Sequence, residues 1–537
     1  MPVTPTYPGL YIEELPSSAH TITPAPTSIT VFVGYTHPFQ GDCAPLVLWG
    51  KPIQIFNFTE YERIFGGLYR SAILSSYVAD AVYQFFLNGG TNAYVVALKP
   101  RFYSPAGAFL QEFAGASDDL AGITFTSRQL TDHTNKVSIT IRNVRTLPAG
   151  NGVADILITF GSHVESYPDV QIKSGPVATN KDPKFIVNRL AASRLVAVKP
   201  ASGATEYPNT YPPSPAVMTK DLGAMQTPSL PPLNVPYTTF LASDFTDVFA
   251  ENQPLDKIDI FNLLVIPGVA DNGIWSTALH YCERKLAFYV MDPPQDASAD
   301  GMGIANLGTI QQVVDDASMP RFSPNGALYF PFLKTIDPLS STILQQPPSG
   351  FVAGIYARTD TRRGVWKAPA GVEASILNTT GVVEEGRMTD MRQGVLNPLG
   401  VNVLRSFPGS GTVVWGARSV GTNPALEQWR YVPVRRTALF IEQTLLRNLA
   451  WVVFEPNDEP LWTAIRVSIE GFMLSLFRQQ AFQGSTPSQA FRVQCDKTTT
   501  TQDDIDNGKV NIVVGFRPLK PAEFVIIKIA QLAGQVQ

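Results

Sequence analysis

The chain closes with the sequence VNIVVGFRPLKPAEFVIIKIA (residues 510–530), in which two apolar segments flank a proline-rich break. β-Branched residues dominate both segments, so residues 510–516 and 522–530 each predict a strand. Side chains alternate between the two faces of a strand, and both faces of the second segment are largely apolar. Burial of each Val or Ile side chain is worth roughly 1.5–3 kcal/mol. The second strand therefore needs a partner, either within its own sheet or in the sheet of a neighbour.

Another candidate strand lies near the start of the chain, in residues 6–15. Pro8 and Gly9 predict a turn before it, and the apolar residues that follow alternate well enough for one strand. Residues 17–28 carry two prolines among small and polar residues, which predicts an extended linker. Both ends of the chain therefore carry strands that need a partner.

Length and composition limit the class of protein. A chain of 537 residues exceeds what one apolar core supports, so two to four domains are expected. Charged residues make up only 16% of the chain, against roughly 25% in typical soluble domains. A weakly charged surface fits a subunit whose exterior becomes interface, and it also fits a generic secreted β-rich protein.

Charge and cysteine content indicate the compartment. The net charge of −4 and the absence of any Lys/Arg run argue against a nucleic-acid partner. The N-terminus lacks the pattern of a secretory signal, and no apolar run is long enough for direct membrane insertion. The three cysteines are far apart and odd in number, which is typical of a reducing environment. We therefore expect cytoplasmic folding and assembly.

Strands and helices alternate in two separated parts of the chain, which predicts an α/β fold with a mostly parallel sheet. The intervening part carries short alternating strands and a proline-rich loop, which predicts an inserted β-rich domain whose ends lie close together. From Leu396 onward two long amphipathic helices are expected, at residues 437–453 and 461–478, with strands near 413–415 and 430–432. The predicted units are an N-terminal arm (1–28), an α/β core (29–100 and 256–380), an inserted β-rich outer domain (101–255), a C-terminal domain (381–508) and a C-terminal strand arm (509–537).

The sequence carries no pattern of catalytic or metal-binding chemistry. Its five histidines are scattered without ligand spacing, and neither a phosphate-binding loop nor a nucleophile elbow occurs. Adjacent carboxylates such as Glu384 and Glu385 are more simply explained as solvated or capping groups. We therefore predict that the chain is not an enzyme and has no cofactor, metal or catalytic residue.

Nine short stretches, in order along the chain, resemble one family. They are YPGLYIEE (7–14), FVGYT (32–36), FLNGG (86–90), PPSGFVAGIYARTD (347–360), RGVWKAPA (363–370), LNPLGVNV (396–403), WGAR (415–418), FEPND (454–458) and PAEFV (521–525). Together they resemble the contractile tail sheath proteins of phages and phage-tail-like injection systems. Residues 101–255 carry no stretch of this resemblance.

The resemblance implies a structural subunit of a helical contractile sheath around an inner tube, with a tube-facing C-terminal domain. Such a subunit polymerises in an extended metastable state and contracts to drive the tube through a target envelope. The implied partners are further copies in a helical homo-oligomer of hexameric rings, the inner tube protein, baseplate and terminal cap proteins, and sheath paralogues. The particle would be a phage tail or a phage-tail-like injection device.

The resemblance also supplies a role for the two ends of the chain, which in this family add strands to the sheets of neighbouring subunits. The implied N-terminal contacts are Tyr7, Pro8, Gly9, Leu10, Tyr11, Ile12, Glu13 and Glu14. The implied C-terminal contacts are Val510, Ile512, Val514, Phe524, Val525, Ile526, Ile527 and Ile529. The alternatives are a soluble β-rich carbohydrate- or ligand-binding protein with no contractile role, or a hydrolase with an unrecognised site.

Overall fold

The computed structural model describes residues 20–41, 48–173, 181–229, 234–293, 323–383, 388–421 and 424–527. The described helices are α1 (Phe58–Phe65), α2 (Val78–Asn88), α3 (Ile186–Arg189), α4 (Ala242–Thr246), α5 (Asn272–Arg284), α6 (Ser349–Arg363), α7 (Asp390–Leu396), α8 (Val432–Asn448), α9 (Glu459–Arg478), α10 (Pro487–Ala490) and α11 (Gln502–Asp506). The described strands are β1 (Thr30–Tyr35), β2 (Pro52–Ile55), β3 (Ala93–Leu98), β4 (Arg101–Tyr103), β5 (Phe109–Glu112), β6 (Ser117–Leu120), β7 (Ile123–Ser127), β8 (Val137–Thr146), β9 (Gly152–Phe160), β10 (His163–Ile172), β11 (Val196–Pro200), β12 (Val217–Leu222), β13 (Leu263–Val265), β14 (Phe288–Met291), β15 (Gly326–Phe330), β16 (Leu333–Ile336), β17 (Ile343–Gln346), β18 (Gly381–Val382), β19 (Val401–Phe407), β20 (Gly411–Val414), β21 (Phe491–Gln494) and β22 (Val513–Phe516).

An eight-stranded sheet, the main sheet, lies at the centre in the order β2-β3-β1-β13-β14-β15-β19-β20. Its six inner strands are parallel, and the edge strands β2 and β20 are antiparallel to their neighbours. The inner strands are continuous apolar runs because α5 packs on one face of the sheet while α2 and α6 pack on the other. The predicted α/β class, with a mostly parallel sheet within a mixed multi-domain chain, is confirmed.

Helices α2 and α6 approach each other closely because two glycines of α6 face α2. A β-carbon on Gly350 would lie 2.5 Å from the carbonyl oxygen of Ala81, and one on Gly354 would lie 2.6 Å from that of Phe85. Any side chain at these positions would separate the helices and loosen the packing on this face of the main sheet.

The segment between β3 and β13 forms a separate β-rich unit, the inserted domain. Its sheets β10-β9-β8-β12 and β11-β7-β6 enclose an apolar core of their own. Where the chain enters and leaves this unit, the backbone N–H groups of Tyr103 and Thr238 each donate to the other's carbonyl oxygen at 2.8 Å. The two ends of the insertion therefore lie side by side.

The C-terminal part packs α8 and α9 against a sheet of two strands, β21 and β22. Helix α8 begins at Val432 because Pro433 is well suited to the first turn of a helix. The strand predicted near residues 430–432 is reduced to an isolated antiparallel bridge between Tyr431 and Arg418. Helix α9 begins after Asp458, whose side chain accepts a hydrogen bond from the backbone N–H of Leu461.

The main sheet continues beyond residue 380, into the segment that the sequence analysis assigned to the C-terminal domain. Strand β19 pairs in parallel with β15, and β20 then folds back along β19 as the outermost strand. Residues 401–414 thus belong to the main sheet because their apolar side chains complete its core.

Two further features concern membrane spans and cysteines. Within the described ranges, no helix has the length and apolar content required to cross a membrane. Cys282 and Cys495 are buried free thiols, while Cys43 lies outside the described residues.

Candidate inter-subunit interface

The sheet of β21 and β22 has edges that are open along both strands in the part of the chain that the structure describes, and an isolated bridge between Phe482 and Pro518 lies just beyond β22. The two strands pair antiparallel, with Val493 opposite Val514, and no third described strand joins them. An open edge presents unpaired backbone N–H and C=O groups and can accept a strand from another chain. This open-edged sheet is therefore a candidate acceptor.

The first half of the predicted C-terminal arm lies on its own chain. Val510, Ile512 and Val514 pack against the C-terminal core, and strand formation is confined to Val513–Phe516. The single strand expected over residues 510–516 is thus shortened. Within one subunit these three side chains face their own core, and the free part of the arm begins later in the chain.

The second half of the arm has no partner within the described part of the subunit. Phe524, Val525, Ile526 and Ile527 are 74%, 80%, 80% and 79% exposed, and they form neither helix nor strand. Ile529 lies outside the described residues. Four successive large apolar side chains in water are costly, and exposed apolar surface of this kind marks an interaction site. This exposed segment is therefore a candidate donor.

A partly buried ion pair holds the base of this donor segment. Arg418 donates from Nε to Oε1 of Glu523 at 2.9 Å and from Nη2 to Oε2 at 2.5 Å, and the side chains are only 11% and 15% exposed. The hydroxyl of Tyr431 donates to the same Oε2 at 3.2 Å. The hydrogen bonds with Glu523 raise the pKa of Arg418 above its ordinary value, so the guanidinium stays charged. The chain is therefore anchored at Glu523 and exposed from Phe524 onward.

The linker after the N-terminal arm is also anchored. The N–H of Ala25 donates to Oγ1 of Thr444 at 3.0 Å, and the N–H of Thr23 donates to Oδ1 of Asn448 at 2.9 Å. Residues 20–27 thus run along α8, and the ring of His20 stacks on Trp451 at a centroid distance of 3.9 Å. The predicted arm contacts lie outside the described residues. They are Tyr7, Pro8, Gly9, Leu10, Tyr11, Ile12, Glu13 and Glu14.

A second buried ion pair fixes the inner end of this linker. Arg436 donates to both carboxylate oxygens of Asp360, at 2.9 and 2.6 Å, and both side chains are 3% exposed. The same guanidinium donates to the carbonyl oxygen of Thr27 at 2.9 Å and lies over the ring of Tyr356. Asp360 belongs to α6, so this contact ties the linker to the main sheet.

Neither Arg418 nor Arg436 had a role predicted from the sequence. Arg418 and Asp360 lie in stretches quoted for the family resemblance, but their partners are distant in sequence. The only local signal was Glu523, a lone charge directly before four large apolar residues. The described residues contain no group of three or more His, Cys, Asp or Glu that could hold a metal ion.

Comparison with known proteins identifies the family. The family model of the phage tail sheath protein central domain matches residues 253–420. The family model of the phage tail sheath C-terminal domain matches residues 425–531. Together these cover just over half of the chain. The chain therefore belongs to the phage tail sheath protein family, which confirms the resemblance.

Two curated relatives carry the same description. The chain is 24% identical over 266 residues to a prophage major tail sheath protein of Pseudomonas aeruginosa, covering 49% of this chain and 62% of the relative. It is 28% identical over 161 residues to the tail sheath protein of Burkholderia phage BcepMu, covering 29% of this chain and 33% of the relative. The chain thus spans less than two thirds of either relative.

Solved structures share the fold over almost the whole chain. The PVC sheath complex of an extracellular contractile injection system, in its contracted state, superposes with a TM-score of 0.56 at 22% identity and 99% coverage of both chains. The helical sheath of the anti-feeding prophage, also contracted, gives a TM-score of 0.56 at 21% identity, covering 98% of this chain and 100% of that one.

Proposed function

We propose that this chain is the structural subunit of a helical contractile sheath that polymerises around an inner tube. The observation that carries the proposal is the coexistence, in one chain, of an exposed apolar donor segment and an open-edged acceptor sheet. A strand added to a sheet edge gains main-chain hydrogen bonds, and its alternating side chains set the register. Donor and acceptor are different surfaces, so copies associate head to tail, and such contacts continue into rings or helices.

The acceptor sheet offers two edges, and the chain offers two strand-like ends. We therefore assign one edge to residues 524–529 of one neighbour and the other edge to residues 7–14 of another. Each subunit is then connected to several others through backbone pairing. Such a lattice can change its shape without losing its connections.

Contraction in this proposal is a rigid-body reorientation of subunits, driven by better contacts in the contracted lattice. It needs no nucleotide and no catalysis. The C-terminal domain faces the inner tube, the inserted domain faces outward, and the ends of the sheath meet baseplate and terminal cap proteins. Sheath paralogues are further candidate partners. The subunit assembles in the cytoplasm into a phage tail or a phage-tail-like injection particle.

A monomeric β-rich carbohydrate-binding protein is the alternative function. It would leave the exposed apolar segment without a role, and the family match does not support it. A monodisperse monomer with measurable glycan affinity would favour it.

Truncation of the donor segment tests the proposal. A chain that ends at Glu523 should remain folded and should form no tubes by electron microscopy, because it lacks the apolar strand. A matched control that ends at Ala530 keeps that strand and should form tubes as the full chain does. Normal tubes from the chain that ends at Glu523 would overturn strand donation.

A further inference from the structure

Both anchored arm bases contact the first two turns of one helix. The hydroxyl of Tyr431, at the N-terminal cap of α8, donates to Glu523 at 3.2 Å. The guanidinium of Arg436, in the following turn, donates to the carbonyl oxygen of Thr27 at 2.9 Å. Arg436 follows Tyr431 by five positions, which is a helical rise of about 8 Å. Both arms are therefore anchored at the same end of α8, although their bases are almost 500 residues apart in sequence.

The C-terminal contact belongs to the main sheet. Arg418 follows β20, and its backbone is held on both sides by Asn402 of β19. The N–H of Arg418 donates to Oδ1 of Asn402 at 2.7 Å, and Nδ2 of Asn402 donates to the carbonyl oxygen of Arg418 at 2.7 Å. Arg418 also donates from Nη1 to the carbonyl oxygen of Asn397 at 2.9 Å. Glu523 is thus bonded to a side chain that the main sheet already fixes.

The N-terminal contact is equally fixed. The Arg436–Asp360 pair lies in the interior, where separating the charges would leave each of them unpaired. Thr27 therefore meets a group that does not swing freely. Movement of either arm must occur outside these points, beyond Glu523 at one end and before Thr27 at the other.

We propose that Arg418, Tyr431 and Arg436 are positioning residues that join the two arms into one mechanical link through the start of α8. Force that a neighbour exerts on one arm is transmitted through residues 431–436 to the other arm. The two-stranded acceptor sheet does not carry this force. The inference rests on the proposed function, because only strand donation puts force on the arms. It goes beyond that function by naming the route of the force within the subunit.

Hydrogen–deuterium exchange on the full chain, at concentrations below those of tube assembly, tests the link. Glu523→Gln removes the charge and keeps the shape of the side chain. Exchange at the amide of Arg517, which donates to the carbonyl oxygen of Ala490 at 2.8 Å, should rise about tenfold, the effect of losing one partner of a charge-assisted hydrogen bond nearby. The decisive readout is the other arm, where the amides of Thr23 and Ala25 should also exchange several-fold faster.

A matched control is Glu373→Gln, which disrupts the exposed Arg363–Glu373 pair and should leave both arm bases unchanged. Tyr431→Phe removes one hydroxyl and should give the same two-arm pattern at about two- to fivefold, so the test survives if Glu523→Gln fails to fold. Unchanged exchange at Thr23 and Ala25, with faster exchange at the amide of Arg517, would overturn the link. Because the chain is unassembled, that failure is distinct from a failure of strand donation, which the truncations measure.

Discussion

Strand β3 (Ala93–Leu98) and the donor segment (524–527) are both short apolar runs, but they occupy opposite environments. β3 lies between β1 and β2, with hydrogen-bond partners along both edges and side chains that are almost all buried. The donor segment has no strand partner in the described subunit, and its side chains are 74–80% exposed. An apolar run thus indicates that a segment must be buried. The elements around it determine whether its own chain or another chain buries it.

Substitution of an apolar residue by Asp should have opposite consequences in these two environments, and the largest loss of stability is expected in β3. Val95 is fully buried in β3, so Val95→Asp places a carboxylate in the core. The free energy of unfolding should fall by more than about 4 kcal/mol, with little folded protein recovered. Chemical denaturation, or the yield of folded protein by circular dichroism, measures this.

Ile526→Asp is the counterpart in the donor segment, where Ile526 is 80% exposed. The free energy of unfolding should change by no more than about 0.5 kcal/mol, because the exposed side chain of Ile526 has no contact with the core to lose. Tube formation should nevertheless be lost, since the carboxylate would be buried in the neighbour's sheet. A variant that forms normal tubes would erase the contrast between the two segments.

The second effect concerns the buried pair beside the arm base. Asp360→Asn leaves Arg436 charged and buried without its counter-ion. The free energy of unfolding should fall by about 3–5 kcal/mol, measured by urea denaturation. A loss below about 1 kcal/mol would show that this contact behaves like a surface pair.

The third effect is the pH dependence of the unfolding free energy that one buried core carboxyl, Asp292, causes. Burial raises the pKa of Asp292 to about 6, although the carboxylate accepts hydrogen bonds from the N–H groups of Gly268 and Ser349. The folded state therefore holds this proton more tightly than the unfolded state, whose Asp has a pKa of about 3.9. Stability from this group is present below pH 4 and is lost as pH rises to about 6, by roughly 3 kcal/mol.

Asp292→Asn removes this titration and supplies the comparison. The difference in unfolding free energy between the original chain and the variant should change between pH 4 and pH 6, and should be constant above. If the unfolding free energies of the two chains change in parallel between pH 4 and pH 6, the assignment of this pH dependence to Asp292 is contradicted.

The smallest effect is expected at an exposed ion pair. The side chains of Arg363 and Glu373 are 53% and 61% exposed, and Nη1 of Arg363 lies 2.8 Å from each carboxylate oxygen of Glu373. Glu373→Gln should change the unfolding free energy by less than about 1 kcal/mol, and this small change should shrink further at high salt. A loss as large as that of Asp360→Asn would mean that burial does not separate the two pairs.

Local sequence patterns predicted the elements whose partners are nearby. The helix expected at residues 461–478 is α9, Glu459–Arg478, which starts within two residues of its predicted start and ends at its predicted end. Where tertiary contacts compete, the patterns failed. The strand predicted over residues 510–516 is confined to Val513–Phe516, because Val510 and Ile512 pack against the C-terminal core and the N–H of Asn511 donates to Oγ1 of Thr500 at 3.1 Å.

The arm bases could not be predicted from any local pattern. Arg418 and Glu523 are 105 residues apart, and Arg436 meets Thr27 across 409 residues. The exposed donor segment was recognised because its composition alone requires a partner. Its anchoring, by contrast, depends on how β20 and α8 converge, which only the fold determines.

The reciprocal bonds between Tyr103 and Thr238 suit this subunit to protein engineering. Residues exchanging two antiparallel backbone bonds have α-carbons about 5.5 Å apart, so a foreign domain with adjacent termini fits the same junction. The graft should keep the ring stack of Phe102 on Phe113, because Phe102 directly precedes Tyr103. Every subunit of an assembled tube would then display one copy of the grafted domain, giving a dense periodic array on a filament.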